Sequence, residues 1–209
     1  SRQTEKQEAF LYNYDMIGNQ MVNAGALHQM LKPYKAHLIT GHTHYNLNVV
    51  FDENLMEHNT AAVCGTWWKA DVCLDGTPRG YGVYEVNGND VKWYYKSSGY
   101  PKEHQFRSYP AGASKEHPSD IIANVWNWDK LWKVEWLEDG QLMGNMTRYT
   151  GLDPYASVVC SDREKMVYTW ITPRPTQHMF RATPKNKDAH ITVKVTDRFG
   201  KEYIQTINP

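Results

Sequence analysis

The motif Gly41-His42-Thr43-His44 has the residue types and the spacing of a metal-binding turn. It directly follows the apolar run "KAHLIT", and the carboxyl end of a strand is where open α/β sheets place their sites. Neutral imidazole is a ligand for Zn, Fe and Mn, and glycine allows a sharp turn and the close approach of a cofactor. In an extended stretch both rings would point to one face, whereas in a turn they could reach two neighbouring ions. Two ligands make an incomplete site, because zinc takes three or four, so an ordinary polar strand end remains the alternative at this point.

Five residues near the motif are candidates for substrate binding. Tyr45 and Asn46 follow the motif directly, so they could line a pocket or simply begin the next strand. Trp67 and Trp68 come directly after a small-residue run, and on a strand one would face the site and the other the core. Asp75, in "DGTP", could contact a substrate or only form the turn.

No residue of the chain is assigned as a catalytic nucleophile or general base. The sequence contains no Gly-rich phosphate loop and no Gly-x-Ser-x-Gly elbow, so the pattern of a serine hydrolase is missing. His37 lies inside the predicted strand before the motif and is interpreted as a packing residue. His58, one strand away, could support the ligands from behind, although a single histidine usually has a structural role.

The composition predicts a globular protein with a real core. The chain has 209 residues, of which 41% are hydrophobic and 22% are charged, and 23 Lys and Arg balance 23 Asp and Glu. A neutral chain with a pI near 7.1 lacks the basic field expected of a nucleic-acid-binding surface. No apolar run approaches the roughly 18 to 20 residues that cross a bilayer, so no membrane span is expected. The sequence does not indicate an oligomeric state.

The three cysteines argue against a zinc site built from thiolates. Cys64, Cys73 and Cys160 form no CxxC pair. Buried free thiols are the favoured interpretation. A disulfide between Cys64 and Cys73 stays open, because two strands could bring them together.

The elements that must position the motif are predicted from periodicity and turn residues. Residues 4–32 have helical spacing, and Pro33 ends the helix. The strand "KAHLIT" follows, and "YNLNVVFDENLMEHN" predicts a strand, a turn and a second short strand. The runs "YGVYEV" and "VKWYYKSSG" flank "NGND", which is typical of a β-hairpin.

The composition changes after Gly99, and the rest of the chain is predicted to be β. The Pro-rich and Ser-rich stretch that follows is interpreted as a linker with one short strand near Phe106. "IIANVWNW" predicts a strand, and "WKVEWLEDGQLMGNMTRY" predicts a hairpin that turns at Asp139-Gly140. "MVYTWI", "TQHMFRATP", "HITVKVTD" and "YIQTI" follow at the spacing of a β-sandwich. We therefore predict an α+β chain with a mixed domain at 1–104 and an all-β domain at 105–209.

Gly-His-x-His after a short apolar strand resembles the last metal-binding motif of the calcineurin-like metallophosphoesterases. The likeness continues through "EHNTAAVCGTWW", "DGTPRGYGVYEV" and "VKWYYKSSGY" to a β module that opens at "IIANVWNWD". These runs are similar to bacterial members that carry their own C-terminal β domain. The resemblance covers nearly the whole chain.

The resemblance implies a fold, a cofactor and a reaction. The fold would be the end of a domain with two β-sheets flanked by helices, followed by an immunoglobulin-like β-sandwich. Two divalent ions, of Mn, Fe or Zn, would be present in the parent enzyme, with His42 bound to one and His44 to the other. The ions would bind the phosphate of a mono- or diester and generate a hydroxide that attacks phosphorus in line. Bacterial relatives with this β domain suggest the periplasm or the cell surface.

The family's other motifs decide what this chain can do alone. Asp-x-His, Gly-Asp-x-x-Asp and Gly-Asn-His do not precede the motif. His28 is the one stand-in for a further family histidine, but it lies within the predicted helix. We therefore expect the C-terminal part of a longer phosphoesterase that is itself inactive and holds no metal ion tightly.

Two other hypotheses concern the β domain. It could bind a glycan or a cell-surface partner, with the histidines incidental, or it could only brace or dimerise the enzyme. The β-domain tryptophans discriminate, since one exposed flat patch would favour binding and a buried set would favour packing. They are Trp126, Trp128, Trp132 and Trp136.

Overall fold

The computed structural model describes residues 23–166 and 168–207. In this part of the chain the backbone forms thirteen strands and two short helices, a β-rich α+β arrangement as predicted. The predicted helix over residues 4–32 lies largely outside the described residues. Its described part is α1, Ala24–Leu31, which ends before Pro33 because proline cannot continue a helix.

A three-stranded sheet carries the histidine motif at the end of its edge strand. The strands are β1 (Ala36–Thr40), β2 (Leu47–Val50) and β3 (Leu55–Asn59), in the order β1-β3-β2. β3 pairs parallel with β1 and antiparallel with β2, as the predicted strand, turn and strand require. The turn between β2 and β3 is closed by Asp52, whose Oδ1 accepts the backbone N–H groups of Asn54 and Leu55.

The predicted hairpin around Asn-Gly is confirmed. It consists of β4 (Gly80–Asn87) and β5 (Asp90–Ser97), paired antiparallel along their whole length. Gly88 has a φ of 60°, the left-handed conformation that a tight hairpin turn needs.

The second half of the chain forms two four-stranded antiparallel sheets. The first has the order β10-β11-β7-β6, with strands Thr147–Gly151, Thr176–Ala182, Ile121–Asn124 and Arg107–Tyr109. The second has the order β13-β12-β8-β9, with strands Glu202–Ile207, Ile191–Thr196, Lys133–Glu138 and Gln141–Asn145. The hairpin predicted at Asp139-Gly140 is the β8–β9 turn.

The two four-stranded sheets share one apolar core. Alternate residues of their strands point inward, which is why Ile191, Val193 and Val195 are buried while their neighbours are half-buried. Each such side chain contributes about 1.5 to 3 kcal/mol when it leaves water. Trp132 and Trp136 belong to the same core.

The four tryptophans between residues 126 and 136 serve packing. Trp126, Trp132 and Trp136 are buried, and Trp128 packs against the shared core. The set therefore does not form the exposed flat patch that a glycan-binding surface would need.

Two predictions for the second half are wrong. Pro154–Ser161 forms a helix, α2, in a region predicted to be entirely β. Asp153 caps it by accepting the N–H of Ala156, and Pro154 occupies its first turn, where proline is favoured. "MVYTWI" forms no strand in its described residues, which lie in a loop before β11.

Within the described residues, no helix is long and apolar enough to cross a lipid bilayer. The division into domains at 1–104 and 105–209 stays a prediction. The immunoglobulin-like arrangement of the two four-stranded sheets also stays a prediction.

Candidate functional site

The histidine motif forms a bend after β1 and is not extended. The backbone φ is 77° at His42 and 60° at His44, so both histidines adopt the left-handed conformation. Gly41, the residue expected to supply the freedom, has no positive φ, and a Cβ there would meet Thr60 O only at 4.0 Å. Left-handed backbone is unfavourable for residues other than glycine and concentrates at functional sites. The strain therefore falls on the two candidate ligands themselves.

Asn59 fixes the bend from the neighbouring strand. It is the last residue of β3 and lies opposite Thr40 in the parallel pairing with β1. Its Nδ2 donates to Thr43 Oγ1 at 2.6 Å and to Tyr45 O at 2.8 Å. Because one amide group bonds on both sides of His44, it holds the backbone that carries this imidazole.

Asn46 anchors the far end of the motif. Its backbone N–H donates to Asp75 Oδ2 at 2.9 Å, and its Nδ2 donates to Trp126 O at 2.6 Å. Both Asn46 and Asp75 are buried, so these two candidates for substrate binding are enclosed by the chain. Their contacts favour a supporting role, and contact with a substrate remains a prediction for both.

Asp75 is the centre of a buried polar network that joins the two halves of the chain. Its Oδ2 also accepts from Thr77 Oγ1 at 2.7 Å and lies 3.3 Å from His178 Nε2. His178 Nδ1 lies 2.6 Å from Asn124 Oδ1. Asn124 Nδ2 donates to Asp75 O and to Asp153 Oδ2, so its Oδ1 is the acceptor and His178 donates to it. The position of the motif thus depends on Asp75 and, through it, on His178, which lies 103 residues further along the chain.

His44 lies between an indole ring and a thiol. Its imidazole stacks on Trp67 with ring centroids 4.8 Å apart, and its Nδ1 is 3.8 Å from Cys64 Sγ. Burial lowers the pKa of His44, and the charge of His42 lowers it further, while a hydrogen bond with the backbone of Gly65 opposes the shift. The ring is therefore neutral at neutral pH, which is the form that binds metal ions.

The cysteines are free thiols, as the favoured interpretation predicts for them. Cys73 and Cys160 are buried, and Cys64 is half-buried. Cys73 Sγ donates to Ala62 O at 3.6 Å, while Cys64 Sγ faces His44. The alternative of a disulfide between Cys64 and Cys73 is not realised in this structure.

Trp67 and Trp68 lie in a turn and not on a strand, so the strand premise for them is wrong. Their φ values are 46° and 64°, and the Trp68 N–H donates to Cys64 O at 2.7 Å to close the turn. Gly65 begins the turn with a φ of 54°, and a Cβ there would come within 2.5 Å of Ala70 O. Trp67 is half-buried against His44, whereas Trp68 is 72% exposed.

Two aromatic residues of the second half extend this surface. The rings of Trp67 and Trp170 are perpendicular, with centroids 4.6 Å apart, and Tyr168 stacks on Trp170 at 5.6 Å. Trp170 is 52% exposed and Tyr168 is 49% exposed. We call Trp67, Trp170 and Tyr168 the aromatic wall. Tyr168 and Trp170 are not among the residues predicted for the site, because "MVYTWI" has the residue types of a strand.

Two further histidines, His37 and His58, lie on neighbouring strands of the small sheet. His37 Nδ1 lies 2.9 Å from His58 Nε2, and His58 Nδ1 lies 3.0 Å from Asn48 Oδ1. Asn48 Nδ2 donates to Asn127 O, so its Oδ1 accepts and His58 carries its proton on Nδ1. His37 then donates to His58. The packing role predicted for His37 agrees with these contacts.

Acid is expected to destabilise the protein through His58. Burial, followed by the charges of His37 and Arg198, lowers the pKa of His58 to about 3 from 6.5. Below pH 6.5 the unfolded chain binds a proton that the folded chain does not, so stability falls as the pH drops from 6.5 toward 3. Between pH 7.5 and 5 we expect a loss of about 2 kcal/mol from this residue. Urea unfolding of the wild type and of His58→Gln at both pH values measures it, and equal losses in the two proteins would contradict the assignment.

A protein-family model described as the C terminal of calcineurin-like phosphoesterase matches residues 57–203, more than half of the chain. The chain belongs to this family. Comparison with curated proteins and with solved structures gives no match. The matched range of this calcineurin-like domain includes Asn59, the aromatic wall and most of the buried network, and it begins after His44.

Calcineurin-like phosphoesterases are generally two-metal enzymes. In residues 23–166 and 168–207, no group of three or more His, Cys, Asp or Glu side chains is placed to hold a metal ion. The described side chains therefore do not make a complete two-metal site, because each ion needs more ligands than the motif offers. His42 and His44 remain candidate ligands for a site that other residues must complete.

Proposed function

We propose that this chain is the C-terminal part of a metal-dependent phosphoesterase that hydrolyses phosphate mono- or diesters. His42 and His44 form one edge of the active site and contribute one ligand to each of two divalent ions, of Mn, Fe or Zn. Residues elsewhere in the parent protein supply the other ligands. We expect the chain alone to be inactive, because the motif offers each ion a single ligand.

The left-handed backbone at both histidines carries this proposal. Such a conformation costs a residue other than glycine about 1 to 2 kcal/mol, and an ordinary polar strand end has no need of it. Asn59 and Asp75 hold the bend in place through hydrogen bonds on each side of His44. A strained bend that is held from both sides is typical of a site whose geometry matters. Membership of the calcineurin-like family supports the same chemistry.

The glycan-binding hypothesis has no comparable support. Three of the four tryptophans that could form its surface are buried, and the fourth packs on the core. The exposed aromatic residues that remain in the second half include Trp170 and Tyr168, and these adjoin His44 through Trp67.

Calorimetric titration of this chain with Mn²⁺ and Zn²⁺ tests the proposal. We expect weak binding, with a Kd on the order of 0.1 mM or weaker, because two imidazoles alone make a poor site. The variant His42→Ala/His44→Ala should abolish even this binding. His190→Ala serves as the control, because His190 is an exposed histidine far from the motif in the sequence. This variant should bind the ions as the wild type does.

The full-length parent protein supplies the second half of the test. With its upstream residues present, it should bind two ions, hydrolyse a phosphoester, and lose both properties when His42 and His44 are replaced. Tight and stoichiometric binding by this chain alone, lost in the double variant, would show instead that its ligand set is complete. Unchanged hydrolysis by the full-length double variant would remove the histidines from the active site.

A further inference from the structure

We propose that the aromatic wall binds a planar ring of the substrate, so that the preferred phosphoester carries an aryl or nucleobase group. This inference rests on the proposed function, because it assigns a substrate class to the same site. The wall consists of Trp67, Trp170 and Tyr168. Its two outer residues belong to the second half of the chain, which therefore contributes to specificity.

The wall is continuous with the histidine motif through ring contacts. His44 stacks on Trp67 at 4.8 Å, with an angle of 29° between the rings. Trp67 meets Trp170 at 4.6 Å, and Trp170 stacks on Tyr168 at 5.6 Å. A phosphate beside His44 would place the group esterified to it within reach of these rings.

The shape of the wall suits a flat aromatic group. Trp67 and Trp170 are perpendicular and form a corner, whereas Tyr168 and Trp170 are within 26° of parallel. An aromatic ring has a negative face and a positive edge. A planar group can therefore stack on one of two perpendicular rings and direct its edge at the face of the other. An alkyl group has no such quadrupole and gains only nonpolar contact there.

The backbone beneath the wall indicates that the rings are held for a purpose. Trp67 and Trp68 are consecutive residues with left-handed φ, an arrangement that large side chains rarely adopt. The strain matches that at His42 and His44, whose bend lies against the same turn through the contacts of His44. Trp67 itself is half-buried against a small apolar cluster that contains Leu74 and Ile171, whereas Trp170 and Tyr168 keep about half of their surfaces exposed, 52% and 49%. A strained tryptophan beside the candidate ligands, extended by two half-exposed rings, fits a surface that contacts a substrate.

Kinetics of the metal-loaded full-length protein with two substrates test the inference. Phenyl phosphate carries a planar ring, and glycerol 2-phosphate does not. We expect Trp170→Ala and Tyr168→Ala to raise KM for phenyl phosphate about tenfold. Removing an aromatic side chain on which a ring stacks costs about this much binding. For glycerol 2-phosphate, kcat and KM should both stay unchanged. Tyr168→Phe, which keeps the ring, should behave as the wild type does.

Tyr81→Ala is the matched control, because Tyr81 on β4 is 48% exposed, close to the exposure of Tyr168. It should affect neither substrate. If the wall variants lower kcat/KM equally for both substrates, the wall only supports the fold. If they change kcat/KM for neither substrate, the wall does not contact the substrate. Either result would overturn the inference. Ribose 5-phosphate is a third substrate, with a sugar in place of the planar ring. If the wall variants raise its KM as much as that of phenyl phosphate, the wall does not select for a planar ring, which would overturn the inference.

An NMR titration of this chain with phenyl phosphate separates the two proposals. The indole N–H signals of Trp67 and Trp170 should shift more with phenyl phosphate than with inorganic phosphate or glycerol 2-phosphate. If the full-length protein hydrolyses no phosphoester, the proposed function fails, while these shifts still decide whether the wall binds a planar ring. Signals that stay fixed with phenyl phosphate at millimolar concentrations would overturn the inference.

Discussion

Replacing Gly76 with alanine is expected to lower the free energy of unfolding by about 4 kcal/mol, because the added methyl group has no room. Gly76 has a φ of 85°, and a Cβ built on it would overlap Cβ and Cγ of Asp153 and come within 2.5 Å of Asn124 Nδ2. Neither neighbour can move easily. Asp153 caps α2 and accepts from Asn124, and both side chains are buried.

Gly88→Ala is the matched control for this prediction. Gly88 also has a positive φ, of 60°, but nothing lies within 4 Å of its built Cβ. The control should therefore cost only the backbone strain, about 1 kcal/mol. Urea or thermal unfolding gives the comparison, and the melting temperature should fall by about 10 °C for Gly76→Ala. Similar losses for the two variants would show that the contact with Asp153 is relieved at little cost.

Asp75→Ala is expected to destabilise the protein by about 3 to 5 kcal/mol and to release the histidine motif. The carboxylate is 1% exposed and accepts from the Asn46 N–H, the Thr77 N–H and the Thr77 hydroxyl, with His178 Nε2 at 3.3 Å. Alanine would leave these buried donors without an acceptor, and each such loss costs about 1 to 3 kcal/mol before relaxation. The Asn46 N–H is the link between the carboxylate and the motif.

Asp52→Ala is the control, because Asp52 also accepts a backbone N–H two residues further along the chain. Its turn between β2 and β3 is partly solvated, so we expect a loss of about 1 kcal/mol or less. Unfolding measurements compare the two stabilities, and the amide signals of residues 42–46 report the motif. Asp75→Ala should shift these signals and Asp52→Ala should leave them in place. A destabilised Asp75→Ala protein with an unmoved motif would limit the carboxylate to a structural role.

The hairpins and the strand before the motif could be predicted because their signals are local. Asn-Gly at 87–88 and Asp-Gly at 139–140 fix turns whose flanking runs alternate, and both pairs form as expected. The strand ahead of the motif has an apolar run and a glycine at its end, so β1 and the position of His42 and His44 followed directly. A turn needs only its own residues and the twist of its strands.

Helix α2 could also have been found, but the regular strand spacing outweighed its signal. "DPYASVVCS" begins with an N-cap aspartate and a proline at the first helical position, which is a helix start. In contrast, "MVYTWI" has the residue types of a strand, and its place in a loop is set by tertiary packing. Met166 and Ile171 are buried in a small cluster with Leu74 and Cys160 from other parts of the chain.

The polar network could not have been predicted from the sequence. Asp75 and His178 are 103 residues apart, and Asn124 and Asp153 are 29 residues apart. Each residue alone has an ordinary local explanation, such as the turn role considered for Asp75. The left-handed backbone at His42 and His44 was equally hidden, because residue type predicts glycine for such positions.

The bonds between Asn46 and Trp126 and between Asp75 and His178 have a consequence for protein engineering. A chimera that exchanged everything after residue 104 with a relative would keep the histidine bend but replace two of the groups that anchor it. Only a relative with a histidine at the position of His178 and a free backbone carbonyl at the position of Trp126 would accept the graft without loosening the bend. The segment that carries the histidine motif and the segment after residue 104 should therefore be exchanged together.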